Sequence, residues 1–263
     1  MDKTALSLVA ARLQCHHAIQ FNTMLARAFV PARENDSHTS LTWNPAQNAL
    51  VGQIFNTGKS RLQCGLRITD LTLLLIGETG SATAHVALDG LTVAEALHWL
   101  TTRLTTQGID SAALERPLHF ELEDHPLLHG AIFGLRGNEP AFEILSKRYA
   151  EAAGVLENLR ERRGAQPVRC WPHHFDIATL IKTHAGSIGA GMSPGDGAHA
   201  EPYYYVSPFP YPPVDQLPQL SSTGTWHTEK WVGAVLTSDR FAYDADSQGI
   251  VRHFLDNAID VLE

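Results

Sequence analysis

Hydrophobic positions change period several times along the chain, and each change marks an element. From residue 4 to 29, Leu6, Val9, Leu13, His17, Phe21, Met24 and Ala28 return every three or four residues. That is the spacing of one helix face, and Pro31 ends the run. His17 lies on the apolar stripe, where a hydrogen-bonded core histidine is expected. Between 39 and 90 the period falls to two: Leu62, Cys64, Leu66 and Ile68 alternate with Arg61, Gln63, Gly65 and Arg67. Turn signals at Asn44-Pro45 and Gly77–Gly80 divide the stretch into strands at 40–43, 49–55, 61–68, 71–76 and 81–88. Connections this short favour an antiparallel meander over a helix-crossed parallel sheet.

The helical period then returns. Thr92-Val93-Ala94-Glu95 has the form of a capping box, Val93, Leu97, Leu100 and Leu104 make a stripe, and Gly108 terminates it. Leu118, Phe120 and Leu122 alternate with His119, Glu121 and Glu123, which predicts another strand. Asn138 and Pro140 open a long helix carrying Phe142, Leu145, Tyr149, Leu156 and Leu159, and Gly164 follows its basic end at Arg160, Arg162 and Arg163. A last helix is predicted at 247–262. Residues 168–237 break the pattern: Gly, Pro, His and aromatics dominate, with short strand-like pieces at Asp176–Ile181 and Val232–Leu236. A long irregular stretch of this kind is often functional. With neither repeat nor linker, the pattern predicts one α+β domain over 1–263, a largely antiparallel sheet packed by about four helices.

Composition narrows the function classes. The charge of −8 argues against a nucleic-acid partner, which needs clustered Lys and Arg. Three widely spaced cysteines, Cys15, Cys64 and Cys170, form no Cys-x-x-Cys pair, so a zinc knuckle, a dithiol centre and a disulfide framework are all disfavoured. Asp2, Lys3 and Arg12 interrupt any apolar leader, and the longest apolar run, near Leu71–Ile76, is too short for a bilayer. A soluble cytoplasmic protein without a membrane partner is the expectation.

The 14 histidines change the picture more, because many fall in clusters beside carboxylates and aromatics. One segment runs Cys170-Trp171-Pro172-His173-His174-Phe175-Asp176, a second carries Ser193-Pro194-Gly195-Asp196 and Glu201–Tyr211, and a third is Trp226-His227-Thr228-Glu229-Lys230-Trp231. In extended chain, residues two apart share a face, which would pair His174 with Asp176 and His227 with Glu229. A carboxylate beside an imidazole fixes its tautomer and raises its basicity. These four are the candidate catalytic residues. Trp171, His173, Asp196, Glu201, Tyr203, Tyr205 and Trp226 are the candidate ligand-binding residues, and His174, Glu201 and His227 would supply a divalent metal site. Structural uses compete: strand-end His–Asp pairs are common, and Trp171 and Trp226 fit a core. His227-x-Glu229 lacks the Pro-Cys-x-x-Cys partner of zinc deaminases. Asp124–Gly130 reads as a turn, and Gly186–Gly195, matching neither a phosphate loop nor a nucleophile elbow, reads as a glycine-shaped loop. The Tyr203–Pro213 segment has too many prolines to be a central strand throughout. It would line a pocket for a flat polar ligand, clasp the sheet, or form a dimer contact.

Several stretches together resemble an uncharacterised bacterial protein family. They are Asp36-Ser37-His38-Thr39, Asp70–Leu73, Asp124–Leu127, Trp171–Asp176, Ser193–Asp196, Glu201-Pro202-Tyr203 and Trp226–Glu229, with Trp231 and Gly233. The resemblance spans nearly the whole chain. It implies a shared architecture in which the polar segments belong together, and it supplies no mechanism. Lys230 stands where the family pattern has glycine, so a tight turn is not assumed there.

The reading that follows is a protein binding a small polar molecule in a His/carboxylate/aromatic pocket, with metal-assisted hydrolysis as one specific version. The rival is a non-catalytic binding or homo-oligomeric scaffold protein that uses the Tyr/Pro segment as its contact surface.

Overall fold

The computed structural model describes residues 3–56, 58, 61–115, 118–220, 223–241 and 246–263. The chain is α+β and divides into two compact units, Met1–Lys147 with Cys170–Phe175 and Arg148–Arg169 with Asp176–Glu263.

In the first unit the helix expected over 4–29 is two, α1 (Lys3–Ala18) and α2 (Gln20–Phe29), interrupted at Ile19 with near-helical backbone. Helix α2 buries Gln20, Asn22 and Thr23 as well as Phe21, Leu25 and Ala26. Buried polar groups need partners. Gln20 Nε2 donates to the carbonyls of His16 (2.9 Å) and Pro172 (3.0 Å), and the Thr23 hydroxyl donates to Gln20 Oε1 (3.0 Å). Strands β1 (Thr42–Asn44), β2 (Ala49–Val51), β3 (Phe55–Asn56), β4 (Arg61–Arg67), β5 (Thr72–Ile76) and β6 (Ala82–Ala87) form the expected antiparallel meander, ordered β1-β2-β4-β5-β6 with β3 beside β4. Strand β5 is buried at every position, which explains its unbroken apolar run.

Helix α3 (Val93–Thr106) starts in the anticipated capping box: Glu95 N–H donates to Thr92 Oγ1, and Thr92 N–H to the Glu95 carboxylate. No strand forms at 118–122. Leu118, Phe120 and Leu122 are half-buried and their polar neighbours exposed, so the alternation records one-sided contact rather than a ladder. Asp124–Gly130 is the expected turn, with a 3₁₀ segment at Pro126–His129 closed by left-handed Gly130. Helix α4 (Glu139–Arg163) carries the chain into the second unit, and β7 (Arg169–Trp171) returns it, Cys170 exchanging backbone hydrogen bonds with Leu41 (2.8 and 2.9 Å).

The second unit holds β8 (Asp176–Lys182), β9 (Ser187–Ser193), β10 (Tyr203–Phe209), β11 (Thr225–His227) and β12 (Gly233–Thr237), antiparallel in the order β11-β12-β10-β9-β8, and helix α5 (Ser247–Asp260). One expectation is corrected here: the glycine stretch read as a loop is β9. The tyrosine–proline run is strand from Tyr203 to Phe209 and leaves the sheet after it, as its prolines imply. Pro208 is tolerated because β12 pairs with β10 only from Tyr203 to Val206, so beyond Val206 only β9 flanks the strand. The basic end of α4 is held by ion pairs: Arg162 to Asp256 (2.9 Å) and Arg163 to Asp260 (2.6 Å). Among the described residues no helix is long and apolar enough to cross a membrane.

Candidate functional site

Register and alternation give the second sheet two unlike faces. Ile177 and Ile181 of β8, Ile188, Ala190 and Met192 of β9, Tyr204 and Val206 of β10 and Ala234 and Leu236 of β12 are buried on one side. Tyr204 packs edge-on to Phe241 there (5.2 Å). The opposite side carries Asp176 and Ala178, Gly189, Gly191 and Ser193, Tyr203 and Tyr205, Gly233 and Val235, and His227.

Glycine at two positions of this face has a steric cause. Tyr205 is registered opposite Gly191, which is opposite Ala178. A Cβ on Gly191 would lie 2.7 Å from the Tyr205 hydroxyl and 2.7 Å from the Ile177 carbonyl oxygen. Without it the Tyr205 ring lies across β9, and its hydroxyl donates to Asp176 Oδ2 on the next strand. On the other flank a Cβ on Gly233 would lie 2.4 Å from the Trp231 ring. Trp231 follows Lys230, whose φ of 67° is left-handed. The chain bends at Lys230 in the conformation glycine favours, although lysine stands there.

The side chains settled on this floor form a closed ring of aromatic contacts. Centroid distances run Tyr203–Tyr205 6.4 Å, Tyr205–Trp231 6.1 Å, Trp231–His227 4.5 Å, His227–His199 5.9 Å and His199–Tyr203 4.8 Å. Tyr203 is buried, and the other four are only half-buried, so the ring is open to water. The Tyr203 hydroxyl donates to Asp196 Oδ2 (2.7 Å), whose Oδ1 accepts the backbone N–H groups of Ala198 (2.8 Å) and His199 (2.9 Å). Burial opposes the Asp196 charge, but the Tyr203 hydroxyl and these two N–H donors outweigh it, so its carboxyl titrates below the usual range. Burial first, and then the adjacent Asp196 carboxylate, push the Tyr203 phenol upward. His227 Nε2–H donates to the Glu229 backbone carbonyl (2.7 Å), which leaves Nδ1 as the acceptor. The buried Nε2 of His199 has no hydrogen-bond partner among the described residues.

A different cluster of imidazoles occupies the first unit. His16 Nε2–H donates to the Pro172 carbonyl (2.9 Å), and the ring stacks flat on Phe175 (5.5 Å, 6°). Burial lowers its pKa to about 4. His17 is buried as the apolar stripe implied, hydrogen-bonded to the Glu123 backbone and beside His125 (5.2 Å). Burial lowers His17, His38 and His125. Asp36 links His38 (3.6 Å) to His119, whose Nε2 lies 2.6 Å from Asp36 Oδ2. His173 sits among His174 (4.3 Å), Phe120 (5.9 Å) and Trp171 (6.1 Å), and burial, then His174, lower its pKa to about 4.

The residues singled out by the sequence are thus divided. Trp171, His173 and His174 belong to the first unit, whereas Asp176, Asp196, Glu201, Tyr203, Tyr205, Trp226, His227 and Glu229 belong to the second. The aromatic ring unites Tyr203, Tyr205 and His227, with Asp176 and Asp196 held by the tyrosine hydroxyls. Two expected pairings rested on extended chain that is absent. Trp171–Phe175 is a turn in which His174 and Phe175 N–H both bond the Trp171 carbonyl and Phe175 has φ 56°. The chain leaves β11 after His227, so that imidazole meets the backbone of Glu229 rather than its exposed carboxylate. Trp226 alternates to the other face and donates to the Pro218 carbonyl (2.8 Å), while Glu201 accepts the Ser238 hydroxyl. Among the described residues no group of three or more His, Cys, Asp or Glu is placed to hold a metal ion. Sequence reasoning passed over His199, although Asp196 three residues earlier is the spacing of an aspartate-closed turn that delivers it. No family model, curated protein or solved structure matches the chain.

Proposed function

We propose that the second unit binds a small polar molecule on the open face of its sheet, within the ring of Tyr203, Tyr205, Trp231, His227 and His199. The observation that carries this reading is closure of that ring on a floor kept low by Gly191 and Gly233. Rings half-open to water cost hydration that core packing would recover, and a concave aromatic surface with a few fixed polar groups is the usual make-up of a ligand site. His227, with its tautomer set by the Glu229 carbonyl, is the group at the ring equipped to accept a proton from such a ligand.

A screen of small polar compounds, read by NMR on labelled protein, tests the proposal. Binding compounds are expected to move the Tyr203, Tyr205, His227 and Trp231 ring signals and to lose affinity in Trp231→Ala. Compounds whose signals map to other residues, or no binding compound in any charge class, would count against it.

One observation favours a second use of the same segment. At the end of β10 and just beyond it, Phe209, Tyr211 and Val214 are 70%, 49% and 55% exposed. Grouped apolar exposure suits a contact between copies of the chain. Sedimentation of the wild type and of Phe209→Ser checks it: a self-association lost in the variant supports the contact, and a monomer at high concentration removes it.

A further inference from the structure

From the same ring we infer the class of ligand: a compact organic ammonium group, bound by the aromatic faces. The inference rests on the ring being a binding site and adds the sign of the charge it takes.

The geometry comes first. Rings with neighbouring centroids 4.5 to 6.4 Å apart, closed into a loop of five, surround a midpoint about 5 Å from each centroid if regularly placed, inside the roughly 6 Å range of cation–π attraction. Successive planes are tilted by 57°, 76°, 32°, 61° and 57°, so the faces present no single flat slot for a stacked base or sugar. A rounded group that touches several faces suits them better.

Hydrogen-bond direction points the same way. The phenolic protons of Tyr203 and Tyr205 are already given to Asp196 and Asp176, so they are not offered to an anion or to a carbonyl oxygen. Donation to a carboxylate pushes electron density into the phenol ring and strengthens its attraction for a cation. Asp196, the carboxyl with its pKa held low, keeps a negative charge one hydrogen bond behind the ring at neutral pH. An anionic ligand would meet that charge without a donor from either tyrosine. The buried Nε2 of His199, unpartnered among the described residues, leaves one hydrogen bond of the ring unmade.

The experiment uses the full chain at constant ionic strength. Tetramethylammonium and methylammonium chlorides are titrated against tert-butanol, the neutral isostere, and sodium acetate, with the ring signals of Trp231, Tyr203 and His227 followed by NMR. Saturable shifts are expected with the ammonium ions only. Trp231→Ala should weaken them by about tenfold or more, whereas Trp231→Phe and Tyr205→Phe, which keep a ring in place, should stay within a few-fold of wild type. Circular dichroism of each variant establishes that it is folded. If tert-butanol or acetate saturates the same signals as well as tetramethylammonium does, the cation inference fails and the binding site stands. If the ammonium ions produce no saturable shift, or one unaffected by Trp231→Ala, the inference fails. Silence from every probe counts against the site as well.

Discussion

The two units use histidine in opposite ways. In the first, burial lowers the pKa of His16, His17, His38, His125 and His173, and His16 has its hydrogen bond to a backbone carbonyl. In the second, His199 and His227 stand half-open to water in a ring with tyrosines and Trp231, next to carboxylates bound by phenols. Clustered histidine in a sequence therefore covers two physical situations. One is a core that merely tolerates imidazole; the other is a surface whose groups face outward and have something left to bind. Spacing along the chain does not separate them.

The largest expected effect tests whether the first cluster is a core. A histidine with a folded pKa below its unfolded value binds fewer protons when folded, so its stabilising contribution is present above the unfolded value and lost as pH falls toward the folded one. For His16 that window runs from about 6.5 down to about 4. Its contribution across the window is on the order of 3 kcal/mol. His173 adds less because water reaches it. Urea unfolding at pH 7, 6, 5 and 4.5 should show wild-type stability falling throughout. His16→Gln should be slightly less stable at pH 7, by about 1 kcal/mol for the lost stack on Phe175, and should draw level or overtake at pH 4.5. Parallel curves would mean that the imidazole is charged or solvated in the folded protein.

A smaller effect probes the acidic side of the comparison. Asp196 has a lowered folded pKa, so its contribution is present above the ordinary carboxylate range and lost only as pH falls through the folded value, below the histidine window. Tyr203→Phe removes its phenolic donor and leaves the Ala198 and His199 N–H bonds. The variant should lose about 1–2 kcal/mol at pH 7, and the Asp196 titration followed by NMR should move upward. An unmoved titration would show that the backbone donors alone hold the charge.

The legible parts of the molecule are those in which local pattern and tertiary environment agree. The meander of the first unit, the capping box at Thr92 and helices α3, α4 and α5 all follow from period and punctuation. Strand β9 was illegible because Gly191 leaves room for a ring on the neighbouring strand, and propensity counts glycine only as a loop former. Where β10 ends was not legible for a related reason: tolerance of proline depends on which strands flank it, and one sequence does not say. Within the site, Tyr203, Tyr205 and His227 were legible from the aromatic and histidine-rich segments, Asp196 from its place beside them, and Asp176 only through a pairing with His174 that the fold does not make. The pairings His174 with Asp176 and His227 with Glu229 were drawn on extended chain. Phe175 with φ 56° and the turn after His227 both break that premise within one or two residues.

The smallest expected effect concerns Lys230, which aims Trp231 over Gly233. Its φ of 67° costs a side-chain-bearing residue roughly 1–2 kcal/mol relative to the right-handed region. Glycine would remove that cost but would add backbone entropy to the unfolded chain, worth roughly 0.5–1 kcal/mol. Lys230→Gly should therefore stabilise the protein by less than about 1 kcal/mol, seen as a raised urea midpoint with unchanged slope. Lys230→Ala should not, because alanine meets the same left-handed strain. Trp231 fluorescence should be the same in both variants if the turn is held by its surroundings, with the indole on the Gly233 floor and the His227 ring beside it. A lower midpoint in Lys230→Gly would mean that residue 230 is right-handed or extended in solution. Trp231 would then have no fixed approach to the ring, and the second unit would differ from the first only in the exposure of its imidazoles.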